Sequence, residues 1–259
     1  MSPLSRPRAL ASAAALALGL AACSDEGGDG DSPSSAPPTT SGTASGTETI
    51  AEDLEVPWDL AFLPDGAALV TLRDSGDIAQ VEAGGETTPL GTVPGVAADG
   101  EGGLLGVAVS PDFAENDTIY VYATTEEDNR VLRMTLGSSG IGDVEPVLTG
   151  IPKGSNHNGG RLDFGPDGRL YVATGDAGDD SASQDEDSLA GKILRITEDG
   201  EPAPGNPDED SPVWTSGHRN VQGLAWREDE TMWASEFGQS TWDELNRITQ
   251  GGNYGWPDV

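Results

Sequence analysis

Residues 161–173 read Arg161-Leu-Asp-Phe-Gly-Pro-Asp-Gly-Arg-Leu-Tyr-Val-Ala173, and the rest of the chain repeats this pattern. An alternating apolar segment, a Pro-Asp turn and a second apolar segment are typical of a β-hairpin. Three further stretches have a similar pattern, at residues 59–71, 106–122 and 223–235, the last with Glu-Asp in place of Pro-Asp at the turn. The sequence therefore predicts four similar hairpins in an all-β chain.

Each hairpin is followed by a third strand-like segment that also recurs, at residues 77–81, 130–134, 192–196 and 244–248. The equivalent positions Leu60, Val107, Leu162 and Leu224 are 47, 55 and 62 residues apart. An all-β repeat of roughly this size is typical of β-propeller blades, with longer insertions in the later blades. A two-sheet sandwich is the alternative, but it does not require the turn and the third strand to recur. We therefore predict a propeller, either four-bladed or a larger one of which four blades are recognisable.

Composition and charge exclude several classes of function. The chain has 259 residues, 45 Asp and Glu, 13 Lys and Arg, and a net charge of −32. Because this charge repels phosphate, nucleic-acid binding through a basic surface is excluded. The single cysteine, Cys23, excludes an intramolecular disulfide and a multi-thiolate zinc site. The sequence indicates no particular oligomeric state.

The N-terminus predicts export and a lipid anchor. Arg6 and Arg8 precede an apolar run over residues 9–22, which is short for a membrane-spanning helix and typical of an export signal. The run ends Leu20-Ala-Ala-Cys23, which resembles a bacterial lipobox. We predict a lipoprotein signal peptide at 1–22, acylation of Cys23, and anchoring on the outer face of the cytoplasmic membrane or in the periplasm. An ordinary signal peptide with an incidental cysteine is the alternative.

Residues 23–49 are rich in Gly, Ser, Thr, Pro and Asp and have almost no apolar side chains. Such a segment cannot bury enough surface to offset its ordering entropy, so it predicts a disordered tether. The folded domain is predicted over residues 50–259. Membrane contact is therefore expected only through the lipid anchor.

Two histidines lie in Gly-rich loops that directly precede repeat strands: His157 in residues 154–160 and His218 in residues 216–223. Loops that enter the inner strands of a propeller gather around its channel, where a neutral imidazole can accept a proton. A hydrogen-bonded structural histidine is the alternative at each position. Acidic residues cluster at 176–187 and 208–210, which suits either calcium or a solvated surface.

Six motifs occur in an order that resembles the soluble, pyrroloquinoline-quinone (PQQ)-dependent glucose/sorbosone (aldose sugar) dehydrogenases. They lie at residues 98–106, 110–113, 157–162, 189–195, 217–224 and 252–257. The resemblance runs from about Leu54 to Val259. It implies a six-bladed β-propeller, of which this chain holds about four blades, so we expect an incomplete dehydrogenase domain that lacks about the last third.

The resemblance implies oxidation of an aldose at its anomeric hydroxyl by hydride transfer to PQQ, with a sugar substrate and an external electron acceptor as partners. His157 is the implied general base. Arg219 and Asn220 match the Arg-Asn pair that contacts the quinone, where a guanidinium favours developing negative charge. Glu101 stands where the family commonly has a cofactor-contacting Gln. Since a carboxylate there would face an anionic cofactor, either calcium or a proton must compensate, or the contact is lost.

Calcium (Ca2+) is the second implied cofactor. Gly238 and Gln239 stand where relatives often have Gly-Pro, whose backbone carbonyls bind the calcium that holds the quinone. Glu244 and Tyr254 match a calcium site of bacterial relatives, with the tyrosine contributing a backbone oxygen. Further cofactor contacts of the family come from blades absent here, so we expect this polypeptide alone to bind quinone weakly or not at all.

Two other functions stay open at this point. One is a calcium-dependent lactonase on a similar propeller, whose site needs acidic residues around a channel metal. The other is a non-catalytic propeller that binds glycans or proteins at the cell surface. Quinone binding favours the dehydrogenase, and lactone hydrolysis with calcium alone favours the lactonase.

Overall fold

Residues 48–259 are described by the computed structural model. The predicted signal peptide, Cys23 and all of the predicted tether except Glu48 and Thr49 lie outside the described residues. Within residues 48–259, no helix has the length and apolar character needed to span a membrane.

Four antiparallel sheets form the described region. The first contains β1 (Pro57–Phe62), β2 (Ala68–Leu72), β3 (Asp77–Val81) and β4 (Thr87–Thr92), and the second contains β5 (Leu104–Val109), β6 (Thr118–Thr124), β7 (Asn129–Gly137) and β8 (Gly140–Ile151). The third contains β9 (Leu162–Phe164), β10 (Leu170–Ala173), β11 (Ile193–Ile196) and β12 (Val213–Thr215), and the fourth contains β13 (Val221–Trp226), β14 (Met232–Glu236) and β15 (Glu244–Ile248). A short helix α1 (Phe113–Asn116) and a 3-10 helix (Asp180–Ser183) lie in connections.

The prediction of an all-β propeller with about four blades is confirmed, because each repeat forms one sheet. The hairpins β1–β2, β5–β6, β9–β10 and β13–β14 and the third strands β3, β7, β11 and β15 all fall at the predicted repeats. One turn differs from the expectation: the Pro-Asp segment between β5 and β6 continues into helix α1. The fourth strands β4, β8 and β12 extend the sheets beyond the recognised repeat.

The apolar core lies between successive sheets. Leu69 and Ile78 of the first sheet pack with Val107 and Ile119 of the second, and all four side chains are buried. Similar clusters join the second sheet to the third and the third to the fourth. Since burying a Leu or Ile side chain contributes about 1.5–3 kcal/mol, these interfaces fix the sheets face to face.

The first and last sheets each carry apolar side chains on an outward face. On β1, Leu60 is 53% exposed and Phe62 is 69% exposed, and on β15, Leu245 is 70% exposed. Among the described residues, nothing covers these side chains. The inner two sheets differ because both of their faces are packed.

The first strands of the sheets lie at the centre, where β5 contacts both β1 and β9. The guanidinium of Arg161 pairs with the buried carboxylate of Asp59, and its Nε donates to the carbonyl of Gln222 at 2.9 Å. Asp59 also accepts the backbone N–H of Val107 at 3.0 Å. These contacts join all four sheets at the centre and fix the relative positions of the loops that precede the inner strands.

Candidate active site

The loops that precede β5, β9 and β13 meet at one rim. Glu101 Oε2 accepts the backbone N–H of His157 at 2.7 Å. Asn220 Oδ1 accepts the backbone N–H of Gly159 at 3.0 Å. The structure thus places next to one another the loops that carry the predicted base and the predicted cofactor contacts, including Arg219.

The backbone of His157 is held in an unusual conformation, with φ at 55°. Such a left-handed conformation is uncommon for a residue other than glycine and persists only where the surroundings enforce it. Here the His157 carbonyl accepts the N–H of Ala177 at 3.0 Å, and a Cβ on Gly175 would lie 1.9 Å from that carbonyl oxygen. Only glycine at position 175 allows this close approach, which fixes the direction of the imidazole.

His157 forms a pair with a buried carboxylate. Its Nδ1 lies 2.7 Å from Asp176 Oδ1, and the side chains are 13% and 2% exposed respectively. Asp176 also accepts the N–H of Gly178 at 2.8 Å and the indole N–H of Trp256 at 2.9 Å. Because an ionised carboxylate only accepts hydrogen bonds, Nδ1 carries the proton and Nε2 is the basic nitrogen.

His218 forms a second pair in a different setting. Its ring is completely buried, with Nδ1 at 2.9 Å from Glu236 Oε2 and Nε2 at 2.9 Å from Thr215 Oγ1. Tyr254 stacks on the same ring with centroids 4.7 Å apart. Since both nitrogens are bonded, His218 has no free acceptor for a substrate proton, and its role is structural.

Glu236 connects the buried pair to the predicted cofactor contacts. Its Oε1 accepts the backbone N–H groups of Arg219 and of Asn220, the latter at 3.2 Å. Burial alone would raise the pKa of Glu236, but the hydrogen bonds from His218 and from the two backbone N–H groups lower it overall. An ionised, buried Glu236 therefore holds the Arg-Asn segment in place.

Arg219 presents a donor without a partner. Its Nη1 donates to the carbonyl of Phe237 at 3.1 Å, and its guanidinium lies 5.4 Å from the ring centroid of Trp256. Its Nε is buried and has no hydrogen-bond partner among the described residues. An unpaired buried donor costs about 1–3 kcal/mol, so this N–H fits a ligand that offers an acceptor oxygen. The quinone and carboxylate oxygens of PQQ satisfy that requirement.

Two neighbouring cavities share the side chain of Phe237. The first, of about 290 Å³, is lined by Arg219 and by all four positions predicted for calcium: Gly238, Gln239, Glu244 and Tyr254. The second, of about 170 Å³, is lined by Glu101 among others. The structure therefore places the predicted metal positions and the predicted cofactor arginine around one space.

The side chains around the first cavity do not by themselves make a metal site. Glu244 is exposed and accepts the amide of Asn246 at 2.9 Å. Within residues 48–259, no three His, Cys, Asp or Glu side chains are grouped as metal ligands, and this includes the acidic clusters at 176–187 and 208–210. Calcium at this cavity would depend on backbone carbonyls in addition to Glu244.

A buried lysine supports the loop that begins at Asp176. Lys192 is fully buried, and its Nζ donates to the carbonyls of Ala182 at 2.8 Å, Ser183 at 3.1 Å and Ala190 at 2.8 Å. Burial lowers the pKa of Lys192 to about 8. Ser183 Oγ in turn donates to the carbonyl of His218 at 2.6 Å, so this loop connects the two histidine pairs.

Sequence reasoning missed the roles of three site residues. Asp176 stood only within an acidic cluster, although its place shortly after β10 puts it at the same rim as His157. Glu236 is the last residue of β14, and this position likewise indicates that its side chain lies near the rim that carries His157. Trp256 lies in the motif at 252–257, but nothing local indicates its contact with Asp176, 80 residues away.

The chain is similar to known sugar dehydrogenases in sequence and in fold. The pattern that defines the family "Glucose / Sorbosone dehydrogenase" matches residues 54–259. Aldose sugar dehydrogenase YliI of Escherichia coli is 38% identical over 227 residues, which cover 81% of this chain and 61% of that protein. Quinoprotein glucose dehydrogenase B of Acinetobacter calcoaceticus is 34% identical over 249 residues, which cover 82% of this chain and 52% of that protein.

A solved structure is also similar. The PQQ-bound form of aldose sugar dehydrogenase from Streptomyces coelicolor superimposes with a TM-score of 0.81 at 55% identity, covering 82% of this chain and 65% of that one. The chain spans 61% and 52% of the length of the two curated relatives above. On the match over residues 54–259, this chain belongs to the glucose/sorbosone dehydrogenase family.

Proposed function

We propose that this protein oxidises an aldose sugar at its anomeric hydroxyl with PQQ as the hydride acceptor. The observation that carries the proposal is the His157–Asp176 pair, which leaves a basic imidazole nitrogen at the rim of the propeller. The names of the relatives from E. coli and A. calcoaceticus and the PQQ-bound title of the S. coelicolor structure support it.

His157 accepts the proton of the anomeric hydroxyl on Nε2. The imidazolium that forms is stabilised by Asp176, which holds Nδ1–H at 2.7 Å and keeps the ring oriented. When bound, PQQ would take the hydride from the anomeric carbon, so that the sugar loses two electrons and two hydrogens and leaves as a lactone. The two electrons would then pass to an external electron acceptor.

Arg219 and Asn220 would hold the cofactor. The buried Nε–H of Arg219 is the donor that such a ligand would satisfy, and its fixed charge favours negative charge on a nearby oxygen. Glu101 contributes differently from the glutamine that the family commonly has there. One of its oxygens is occupied by the N–H of His157, so we assign it to the placement of the base.

Calcium belongs to the proposal as a second cofactor. Gly238 and Gln239 would contribute backbone carbonyls, and Glu244 and Tyr254 would contribute a carboxylate and a backbone oxygen. The support is that all four positions line the cavity of about 290 Å³ that also contains Arg219. Export and lipid anchoring at Cys23 are proposed from the sequence of residues 1–23 alone.

The experiment is reconstitution of the 259-residue chain with PQQ and calcium, followed by dye reduction with a panel of aldoses. The expectation that this polypeptide alone binds quinone weakly or not at all stays a prediction, so PQQ is titrated to high concentration. Reduction that requires PQQ and is lost in His157→Asn supports the proposal. Dye reduction that survives His157→Asn contradicts the role of the base.

The other two functions predict different results in the same assay. Lactone hydrolysis with calcium and without quinone would show a lactonase instead. Glycan binding without any turnover, unaffected by His157→Asn, would show a non-catalytic propeller. For localisation, Cys23→Ser should release the protein from the membrane fraction of an expressing bacterium, and retention there contradicts the lipid anchor.

A further inference from the structure

Trp256 contacts both halves of the site with different parts of one ring. Its Nε1–H donates to Asp176 Oδ2 at 2.9 Å, and its face lies 5.4 Å from the guanidinium of Arg219. We propose that Trp256 is a positioning residue: its ring edge orients Asp176, and through it His157, while its ring face orients Arg219. The inference rests on the proposed function, and it adds a residue that couples the proton acceptor to the cofactor contact.

The backbone of Trp256 is fixed from two sides. Its N–H donates to the carbonyl of Gly217 at 2.9 Å, and its carbonyl accepts Nε2 of Gln184 at 2.6 Å. Gln184 also exchanges hydrogen bonds with the side chain of Asn253 at 2.7 and 3.1 Å. Gly217 has φ at 74°, and a Cβ there would lie 2.1 Å from Asn253 Oδ1, so only glycine allows this approach. The position of the indole is therefore set by the two loops beneath it.

The ring edge of Trp256 determines which hydrogen bonds the two oxygens of Asp176 accept. Oδ1 accepts from His157 and from the N–H of Gly178, whereas Oδ2 accepts from Trp256. With the indole N–H removed, Oδ2 would have no donor among the described residues. An unpaired buried acceptor is costly, so the carboxylate would rotate towards another partner and leave Nδ1 of His157 less firmly held. The preference of His157 for the Nδ1–H tautomer would then fall.

The ring face controls the direction of the free donor of Arg219. The guanidinium is held by the carbonyl of Phe237 on one side and by the ring of Trp256 on the other. A cation over an aromatic face is attracted to it and loses rotational freedom. The guanidinium, and with it the buried Nε–H, is therefore ordered before an anionic ligand binds.

Two variants separate the two contacts. Trp256→Phe keeps an aromatic face and removes the N–H, whereas Trp256→Leu removes both. The matched control is Trp226→Phe. The ring centroid of Trp226 lies 5.2 Å from that of Tyr171, between the third and fourth sheets, and Trp226 contacts neither half of the site. Nitrogen-15 NMR of the ligand-free, 259-residue chain reports the tautomer of each ring, and His157→Asn assigns the signals because the chain has two histidines.

The expected results differ between the variants. In both Trp256 variants the ratio of Nδ1–H to Nε2–H tautomer of His157 should fall by about tenfold, as loss of one hydrogen bond to a charged group implies. Hydrogen exchange of the Arg219 Nε–H should stay slow in Trp256→Phe and become about tenfold faster in Trp256→Leu. PQQ affinity should change by less than about twofold in Trp256→Phe and fall by about three- to tenfold in Trp256→Leu. Trp226→Phe should match the wild type in all three measurements.

An unchanged tautomer ratio in Trp256→Phe would overturn the role of the ring edge. Equal Nε–H exchange rates in Trp256→Phe and Trp256→Leu would overturn the role of the ring face. Dye reduction that survives His157→Asn contradicts the proposed function. The two ligand-free measurements decide the roles of Trp256 independently of that assay, even where this polypeptide alone binds no PQQ.

Discussion

The two histidine–carboxylate pairs of this protein are alike in chemistry and different in use. His157 and Asp176 lie 2.7 Å apart with the ring 13% exposed, whereas His218 and Glu236 lie 2.9 Å apart with the ring completely buried. The second ring nitrogen makes the difference, because Nε2 of His218 is bonded to Thr215 and Nε2 of His157 is left as an acceptor. A bonded second nitrogen turns a potential base into a structural group.

The carboxylates differ in their remaining partners as well. Besides its histidine, Asp176 accepts the indole N–H of Trp256 and one nearby backbone N–H, that of Gly178, whereas Glu236 accepts the backbone N–H groups of both Arg219 and Asn220. One pair thus acts on the orientation of a ring, and the other fixes the path of the main chain. Substitutions in the first pair should affect turnover, and substitutions in the second should affect folding.

The largest expected effect is on turnover in His157→Asn. Removal of a general base lowers kcat/KM by about 10²- to 10⁴-fold. The measurement is dye reduction at saturating PQQ and calcium, with the urea midpoint as the control for folding. A loss of less than about tenfold would contradict the assignment of His157 as the base.

The next effect is on stability in Glu236→Ala. An unpaired buried donor costs about 1–3 kcal/mol, and here two backbone N–H groups and the ring of His218 lose their acceptor together, so the loss should be at least about 3 kcal/mol. Urea unfolding of the wild type and the variant measures the difference. The matched variant Asp176→Ala should cost less, because its partners His157 and Trp256 are partly exposed, and an equal or larger cost would contradict the distinction between the pairs.

A smaller effect is expected on turnover in Asp176→Asn. The amide keeps the shape of the carboxylate but cannot stabilise an imidazolium, and a hydrogen bond to a charged group is worth about 1.5–3 kcal/mol, so kcat should fall about 10- to 100-fold. The same assay measures it. Unaltered kcat in this variant would show that the carboxylate does not support the base.

The smallest expected effect is a pH dependence of stability from Glu236. Its pKa in the folded protein lies below the ordinary value of 4.5, so its contribution is fully present above that value and is lost as the pH falls through the lowered pKa. The difference in free energy of unfolding between wild type and Glu236→Gln should therefore be constant near neutral pH and shrink in acid. A difference that grows in acid would mean that the sign of the shift is wrong.

The parts of the fold that were predictable follow local rules. The hairpins repeat a pattern in which neighbouring residues alternate between core and surface, and that pattern is visible in any one repeat. The outer strands were not predicted because they are half-exposed: β4 (Thr87–Thr92) has no buried side chain. Such strands form because they pair with the free edge of the preceding strand, and their own sequence shows no clear alternation of apolar and polar residues.

The same distinction holds in the site. His157 was predictable because its loop is a motif in itself, and the loop directly precedes an inner strand. Asp176 could not be chosen from its acidic neighbours, since its selection depends on Gly175 letting the main chain approach that of His157. Glu236, the partner of His218, follows it by 18 residues. Trp256, whose ring faces Arg219, lies on a loop from a later segment. Contacts between loops of different sheets leave no trace in local sequence.

The outward apolar faces of the first and last sheets bear on how copies of the chain behave together in solution. Leu60, Phe62 and Leu245 are more than half exposed on a chain with a net charge of −32. That charge keeps copies apart at low ionic strength, but the Debye length shrinks from about 30 Å at 0.01 M salt to about 3 Å at 1 M. Salt should therefore raise light scattering steeply, because colloidal stability here comes from repulsion and not from a covered surface.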